Sequence, residues 1–491
     1  MNIDINRDSQ WREELRSKLS AKERTSIPRA VMPQLDPKFR IRSNHEVNQG
    51  LSQGQAVIEA SRCLDCPDPQ CIQGCPVSIN IPSFIKNIER GEILTAAKVL
   101  KQTSALPAVC GRVCPQEKQC ESRCIYNKMK KQPVAIGYLE RFAADFEREN
   151  NKANNIEIKP SALAKNGKKI AVVGSGPAGL SFAGDMIKKG YEVTVYEALH
   201  EIGGVLKYGI PEFRLPNTVV EAEIDGLRAE GVTFVKDCII GKTISYDQLH
   251  ELGYDGIFVA SGAGLPRFMG IPGENYVGIM SSNEYLTRIN LMGAGRPGED
   301  TPVLKGKRVA VIGGGNTAMD SVRTALRQGS EKAMIVYRRS LEEMPARVEE
   351  VHHAQEEGVD FMTLCNPIEY LADENGRVRA MRVQRMELGE PDASGRRSPI
   401  PIEGAIDEIE VDLVIVSVGV SPNPLIPNAI PELEISRRGT IVVNEESMQS
   451  SLADIYAGGD IVRGGATVIL AMGDGRRAAA AMDKALSDNQ A

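Results

Sequence analysis

Two stretches of the chain carry the same hydrophobic pattern. KIAVV (169–173) and YEVTVY (191–196) are apolar runs of strand length. Between them GLSFAGDMIKKG spaces its apolar positions as a helix does. Further on, RVAVI, NTAMDSVRTALRQG and KAMIVY repeat that order. A continuous apolar strand, a helix and a second such strand form a βαβ unit. Using it twice predicts two α/β, parallel-sheet, nucleotide-binding domains. Residues 51–150 have helical spacing instead, in GQAVIEASRC, IPSFIKNIERGEILTAAKVLKQ and AIGYLERFAADFEREN. The first 50 residues are polar, with Pro28, Pro33 and Pro37, and predict a short helix from Trp11 to Ala21 followed by an extended arm. Asn150 to Lys169, with Pro160 and Gly167, reads as a linker. Beyond Pro424, IVVN, IYAGGDI and a final helix from Ala466 are expected to return to the first nucleotide domain.

At 491 residues the chain is too long for one core, and about three domains are expected. Its net charge of -6 and lack of a basic run argue against nucleic acid. No apolar stretch reaches bilayer-spanning length, and Met1 to Gln10 lacks a signal-peptide core, so no membrane partner and a cytoplasmic location are expected. The ten cysteines change the picture more, because eight crowd between Cys63 and Cys124. In a reducing compartment such crowding points to metal or cluster ligation rather than disulfides. Cys238 and Cys365 lie outside and read as small buried hydrophobes, and His352 and His353 as surface residues.

Gly174-Ser175-Gly176-Pro177-Ala178-Gly179 follows a strand and opens a helix. Gly174 allows the tight turn, Gly176 a close pyrophosphate and Gly179 close helix packing, with Pro177 and Ala178 in the helix start that faces the phosphate. Glu197 ends the next strand, where a carboxylate can accept from ribose hydroxyls. Gly203-Gly204 and YAGGD (456–460) resemble the two-dinucleotide-domain flavoproteins. That resemblance implies FAD at this first loop, with Gly262, Gly459, Asp460 and Thr467 near it. VASGA (259–263) resembles that family's interdomain strand, with Ser261 departing from its usual threonine.

The second loop, Gly313-Gly314-Gly315-Asn316-Thr317-Ala318, has the GxGxxA form. Its second strand ends not in an acid but in Tyr337-Arg338-Arg339. A guanidinium binds a 2′-phosphate that a carboxylate would repel, so this site is expected to prefer NADPH. Gly313, Gly315, Asn316, Thr317, Ala318, Arg338 and Arg339 are its candidate residues.

The cysteines form two runs, Cys63-x2-Cys66-x4-Cys71-x3-Cys75-Pro and Cys110-x3-Cys114-Pro-x4-Cys120-x3-Cys124. The first matches the bacterial ferredoxin run apart from a longer middle spacer. Thiolates at this density suit iron–sulfur clusters or zinc; the Cys-Pro endings and the neighbouring flavin motifs favour two [4Fe–4S] clusters. A redox dithiol needs far fewer cysteines. From about residue 33 the chain resembles the small (beta) subunit of NADPH-dependent glutamate synthase. The resemblance rests on ASRCLDC, GCPVSINIP, ALPAVCGRVCP, VAIGYLERF, both glycine loops, YRRS with EEMPA, and YAGGD. The wider group includes the large subunit of electron-bifurcating NADH-dependent ferredoxin:NADP oxidoreductase and the N-terminal half of dihydropyrimidine dehydrogenase. In that group ligation crosses between runs. Carried over, one cluster takes Cys63, Cys66, Cys71 and Cys124, and the other Cys75, Cys114, Cys120 and Glu140, leaving Cys110 out. The bland alternative makes Cys110 the ligand and Glu140 a surface acid.

The fold expected is multidomain. An N-terminal α-helical iron–sulfur domain (1–165) precedes two α/β Rossmann-like dinucleotide-binding domains, the second inserted in the first. FAD is assigned to 166–300 plus 425–491 and NADPH to 301–424. The resemblance implies hydride from NADPH to FAD, then single electrons through the clusters to a larger subunit that makes glutamate from glutamine and 2-oxoglutarate. The chain offers no glutaminase nucleophile and no catalytic dyad of its own. The bifurcating large subunit and a zinc-bound scaffold remain as alternatives.

Overall fold

The computed structural model describes residues 3–156, 164–393 and 395–488. The N-terminal third is helical. Its main helices are Gln53–Ser61, Ile81–Glu89, Ile93–Lys101, Pro107–Val113 and Ile136–Ala153. The last runs four residues into the expected linker, and Pro160 lies outside the described residues. The first helix is shorter than its spacing predicts, Gln10–Lys18. Ser20 and Glu23 form a capping box that starts a separate helix, Ala21–Ser26. Trp11 lies 3.8 Å under the Arg90 guanidinium.

Five parallel strands make the first sheet: β1 (Lys169–Val173), β2 (Glu192–Tyr196), β3 (Thr233–Val235), β4 (Gly256–Val259) and β15 (Ile455–Ala457), in the order β15-β4-β1-β2-β3. The C-terminal β15 pairs with β4, Ala457 beside Val259. The second sheet is built alike from β6 (Ile279–Ser281), β7 (Arg308–Ile312), β8 (Lys332–Tyr337), β9 (Asp360–Thr363) and β13 (Leu413–Val416), in the order β6-β13-β7-β8-β9. β6 falls within 166–300, so the second sheet starts earlier in the chain than residue 301. The chain passes between the sheets at two places. There β5 (Leu265–Pro266) and β14 (Val420–Ser421) pair antiparallel.

An antiparallel sheet of β10 (Cys365–Ala372), β11 (Val378–Pro391) and β12 (Arg397–Glu410) was not apparent from the apolar pattern. β12 is largely solvent-exposed, so it shows little of the inside-outside contrast that marks a strand. Cys238 and Cys365 are buried, as read. His353 is not a surface residue. It is 2% exposed, and neither ring nitrogen has a hydrogen-bond partner.

Buried arginines join the three parts through ion pairs and hydrogen bonds. Arg40 of the N-terminal arm donates to Glu356 and Glu357 and to the carbonyl of His353 on the second nucleotide domain. Arg214 of the first donates to both oxygens of Asp320 at 2.7 Å. Arg347 donates to the Arg112 carbonyl and Gln116 of the helical domain. Charges buried this way need well-defined geometry, so they specify how the parts meet more than they stabilise the fold.

Candidate functional site

The cysteines sit where helices end. Cys63 follows the helix Gln53–Ser61 and Cys114 caps Pro107–Val113. Cys120 and Cys124 flank the turn Glu121–Arg123. Two sets emerge. Cys71 lies within electrostatic reach of Cys63, Cys124 and Cys66. Cys120 lies within reach of Cys75, Glu140 and Cys114. Burial pushes the Cys63 and Cys75 thiols up to about 11. Burial, with Glu223 adding to it, pushes Glu140 up to about 8. Glu140 is thus a buried acid, not a surface one, and its Oε1 has no partner. Cys110 is fully buried, its Sγ 3.4 Å from Met472 Sδ, and it too lies within reach of Cys114, Glu140 and Cys75.

This donor set fits iron–sulfur clusters. Seven thiols and a carboxyl with an unpartnered oxygen are gathered in two sets, with Cys110 beside the second, and burial makes Cys63, Cys71, Cys75, Cys114, Cys120 and Glu140 costly to ionise until a cation is present. Among the described residues no three His, Cys, Asp or Glu side chains converge on a single ion. The ligands of a four-iron cube occupy separate corners and need no such convergence.

One support was invisible to the spacing argument. Asp65, fully buried and at φ +53, receives Arg12 and Arg16 from the first helix and so fixes the loop between Cys63 and Cys66. Behind Cys63, the buried Lys86 ammonium donates to its carbonyl at 2.6 Å.

In the first nucleotide loop Gly174 has φ +103, and a Cβ there would lie 2.5 Å from the Ala260 carbonyl. A Cβ on Gly179 would lie 2.1 Å from the Gly174 carbonyl, while Gly176 faces open space. That opening is a cradle with room for a pyrophosphate at the start of the helix Pro177–Ile187. Gly204 roofs it, its would-be Cβ 3.0 Å from Gly176 Cα. Glu197 accepts from Ser175 N at 3.0 Å and from Leu199 N at 2.9 Å. Ser175 Oγ bonds Glu197 and accepts from Gly203 N, so Ser175 ties the acid to the glycine pair. Gly262, at φ +69, follows β4.

The C-terminal segment closes over this cradle. Gly459 N donates to Asp474, and a Cβ on Gly459 would lie 3.1 Å from Ala178 Cβ. Burial pushes Asp460 up to about 6. Thr467 stands at the start of the helix Val468–Asp488 and accepts from Leu470 N at 3.4 Å. That helix touches both halves of the site. Gly473 packs where a Cβ would be 2.9 Å from the carbonyl of Pro76, next to Cys75. Ser181 Oγ of the first nucleotide helix donates to the Met472 carbonyl at 3.0 Å.

The second loop repeats the first. A Cβ on Gly313 would lie 2.3 Å from the Ser417 carbonyl, Gly315 faces open space, and Ala318 is buried. Asn316 Oδ1 accepts from Arg347 N at 2.8 Å, and Thr317 follows in the same helix. The two arginines part company. Arg338 is exposed at the end of β8. Arg339 is 5% exposed and donates to Asp392 at 2.6 Å and to the Arg397 carbonyl at 2.8 Å. The sequence places both at the strand end; the β11–β12 hairpin takes one of them.

Residues 40–152 match the family described as dihydropyrimidine dehydrogenase domain II, 4Fe-4S cluster, and residues 168–482 match pyridine nucleotide-disulphide oxidoreductase. The glutamate synthase [NADPH] small chain of Escherichia coli (strain K12) is 37% identical, over 92% of this chain and 96% of that one. The chain belongs to the family of the glutamate synthase small chains. Its Azospirillum brasilense member is also 37% identical, over 91% and 93% of the two chains. The beta subunit of NADP(+)-dependent formate dehydrogenase from Moorella thermoacetica is 37% identical over 85% of this chain, which spans 60% of that subunit. Among solved structures, FprA from Mycobacterium tuberculosis in complex with NADPH aligns with TM-score 0.56 at 21% identity, over 66% of this chain and 85% of that one. It shares the nucleotide-binding fold. Membership makes this chain an NADPH-dependent flavin and iron–sulfur oxidoreductase, with FAD, NADPH and [4Fe–4S] clusters as its cofactors. Among the described residues no helix is long and apolar enough to cross a membrane.

Proposed function

We propose that the chain is the NADPH-oxidising, electron-input subunit of glutamate synthase, working with a larger subunit that makes glutamate from glutamine and 2-oxoglutarate. The carrying observation is the helix Val468–Asp488. It packs on Pro76 beside one cysteine set and on the first nucleotide helix, so the two redox sites share one rigid wall. In this reading the second nucleotide domain is inserted in the first, which resumes at β15, and the crossover pair β5–β14 marks the boundary.

When bound, the flavin accepts a hydride as an electron pair and the clusters carry electrons singly. The chain's part is positioning and electrostatics. Gly174, Gly176 and Gly179 let the backbone reach the FAD pyrophosphate, Pro177 and Ala178 start the helix that faces it, and Gly203 and Gly204 cover it. Glu197 orients toward the ribose, while Gly262, Gly459, Asp460 and Thr467 line the flavin side. Gly313, Gly315, Asn316, Thr317 and Ala318 cradle NADPH, with Arg338 on the 2′-phosphate and Arg339 bracing the hairpin behind it. Cys63, Cys66, Cys71 and Cys124 hold one cluster, and Cys75, Cys114, Cys120 and Glu140 the other. No side chain is asked to move a proton.

The test is anaerobic isolation of the native protein with its stoichiometric partner. A large partner with glutaminase activity, with flavin bleached by NADPH and not by NADH, supports the reading. A formate- or ferredoxin-linked partner would overturn the glutamate assignment and leave the electron-input role standing.

A further inference from the structure

We propose that the cations following Cys124 form a docking lip for an acidic electron-accepting protein, and that electrons leave the chain there. The proposal rests on the electron-input reading above and names the kind of partner that reading requires.

The two cysteine sets differ in depth. Cys114, Cys120 and Glu140 are buried, Cys75 is partly exposed, and their set meets the helix that leads to the flavin cradle through Pro76. Cys66, Cys71 and Cys124 are each partly exposed, and of the outer set only Cys63 is buried. The outer set is therefore the last stop before solvent.

A compact turn follows Cys124. The residue opens the short helix Ile125–Lys128, and Lys131 N closes the turn on the Tyr126 carbonyl at 3.0 Å. Tyr126 is fully buried and donates to the Arg62 carbonyl at 2.6 Å, which anchors the turn. Arg123, Lys128, Lys130 and Lys131 are all exposed. Lys131 Nζ donates to the Thr25 carbonyl, and the stem of Arg123 lies against Gly74, between Cys71 and Cys75. Arg7, part-exposed, flanks the same set by donating to the Asp65 carbonyl at 2.9 Å. Between Glu121 and Glu140 the chain has no acidic residue. Glu121 is buried and paired with Arg29 at 2.8 Å. Of the exposed acids, Asp8 is paired with Arg7 and Glu23 is held by its helix cap, while Asp68, which accepts from Gln70, keeps its charge. Met129, 40% exposed, supplies an apolar centre.

The surrounding chain gives this patch its meaning. A net charge of -6 opposes an acidic partner overall, and the exposed cations of this turn would offset that repulsion locally. Such a field orients the partner and raises the association rate, an effect that salt removes. Each crossing moves one electron. The outer centre is oxidised by one, the partner's centre is reduced by one, and no bond or proton changes hands. NADPH supplies the pair as hydride.

The test uses the loaded protein with 13C-methyl methionine, the Met129 signal being assigned by its loss in Met129→Leu. Hexacyanochromate(III), trianionic, paramagnetic and redox-inert, should broaden that signal at low salt, whereas hexaamminechromium(III) should not. Added salt should reverse the broadening, and Lys128→Gln/Lys130→Gln/Lys131→Gln should weaken it. The same triple variant should reduce ferricyanide about tenfold more slowly at low salt, the scale of electrostatic steering, with flavin reduction by NADPH unchanged. An unbroadened Met129 methyl, or a variant with the parent's rate and salt slope, overturns the proposal. Failure of NADPH to reduce the flavin overturns the electron-input reading instead, and the methyl signal still decides the patch.

Discussion

Cys110→Ala and Glu140→Ala should behave oppositely. Cys110 is fully buried with its sulfur against Met472, so truncation leaves a small dry cavity. Deleting one heavy atom at such a site costs about 1–2 kcal/mol, from lost burial plus the cavity. Iron should stay. Glu140 is a buried carboxyl whose Oε1 has no partner. An unmet buried acceptor costs about 1–3 kcal/mol, so the iron-free chain should be no less stable without it. The iron-loaded chain should lose half its iron. The assay is iron and acid-labile sulfide per chain after anaerobic purification, with Cys114→Ala as the positive control. Urea unfolding of iron-free samples supplies the energies. If Cys110→Ala loses iron as Cys114→Ala does, the crossed ligand set with Glu140 is refuted.

Arg338→Ala should raise KM for NADPH at least tenfold and leave KM for NADH nearly unchanged, since a charge-assisted bond is worth about 1.5–3 kcal/mol; Arg339→Ala should instead lower thermal stability, because that side chain braces the hairpin through Asp392. Gly179→Ala places a Cβ 2.1 Å from the Gly174 carbonyl; the purified protein should retain little flavin, measured by the 450 nm absorbance ratio. Glu350 sets a pH limit. Burial works to raise its carboxyl, but Arg214 and Arg323 outweigh that and hold it at about 2. Its folded value is depressed, so the stability it contributes is present above its ordinary value of 4.5 and is lost as pH falls toward 2. Glu350→Gln should flatten that part of the stability-against-pH curve.

The two βαβ units, both glycine loops and the cysteine runs could be read from the chain because each is local. A strand, a turn and a helix start occupy consecutive residues, and their side-chain requirements appear as spacing. The acid at Glu197 and the arginines at 338 and 339 were also legible, as strand ends. Three features were not. His353 sits in a helix whose polar sequence suits a surface, but its burial comes from the arm that Arg40 ties down. β12 hides its alternation because so much of it faces solvent. Arg339 differs from Arg338 only through a hairpin that reaches it from more than fifty residues away.

The sequence alone determined which chemistry the chain can carry: thiols for iron, glycines for phosphate, and a guanidinium where an acid would stand. Those choices depend on residue type and short-range geometry, which the order of residues states directly. Only the tertiary structure brought thiols of the two runs together, left one arginine in solvent and not the other, and set one C-terminal helix against both redox sites. These depend on burial and on contacts between residues hundreds of positions apart, such as Cys110 with Met472. Local preference does not encode such contacts; they are settled when the three cores pack and water leaves the surfaces between them.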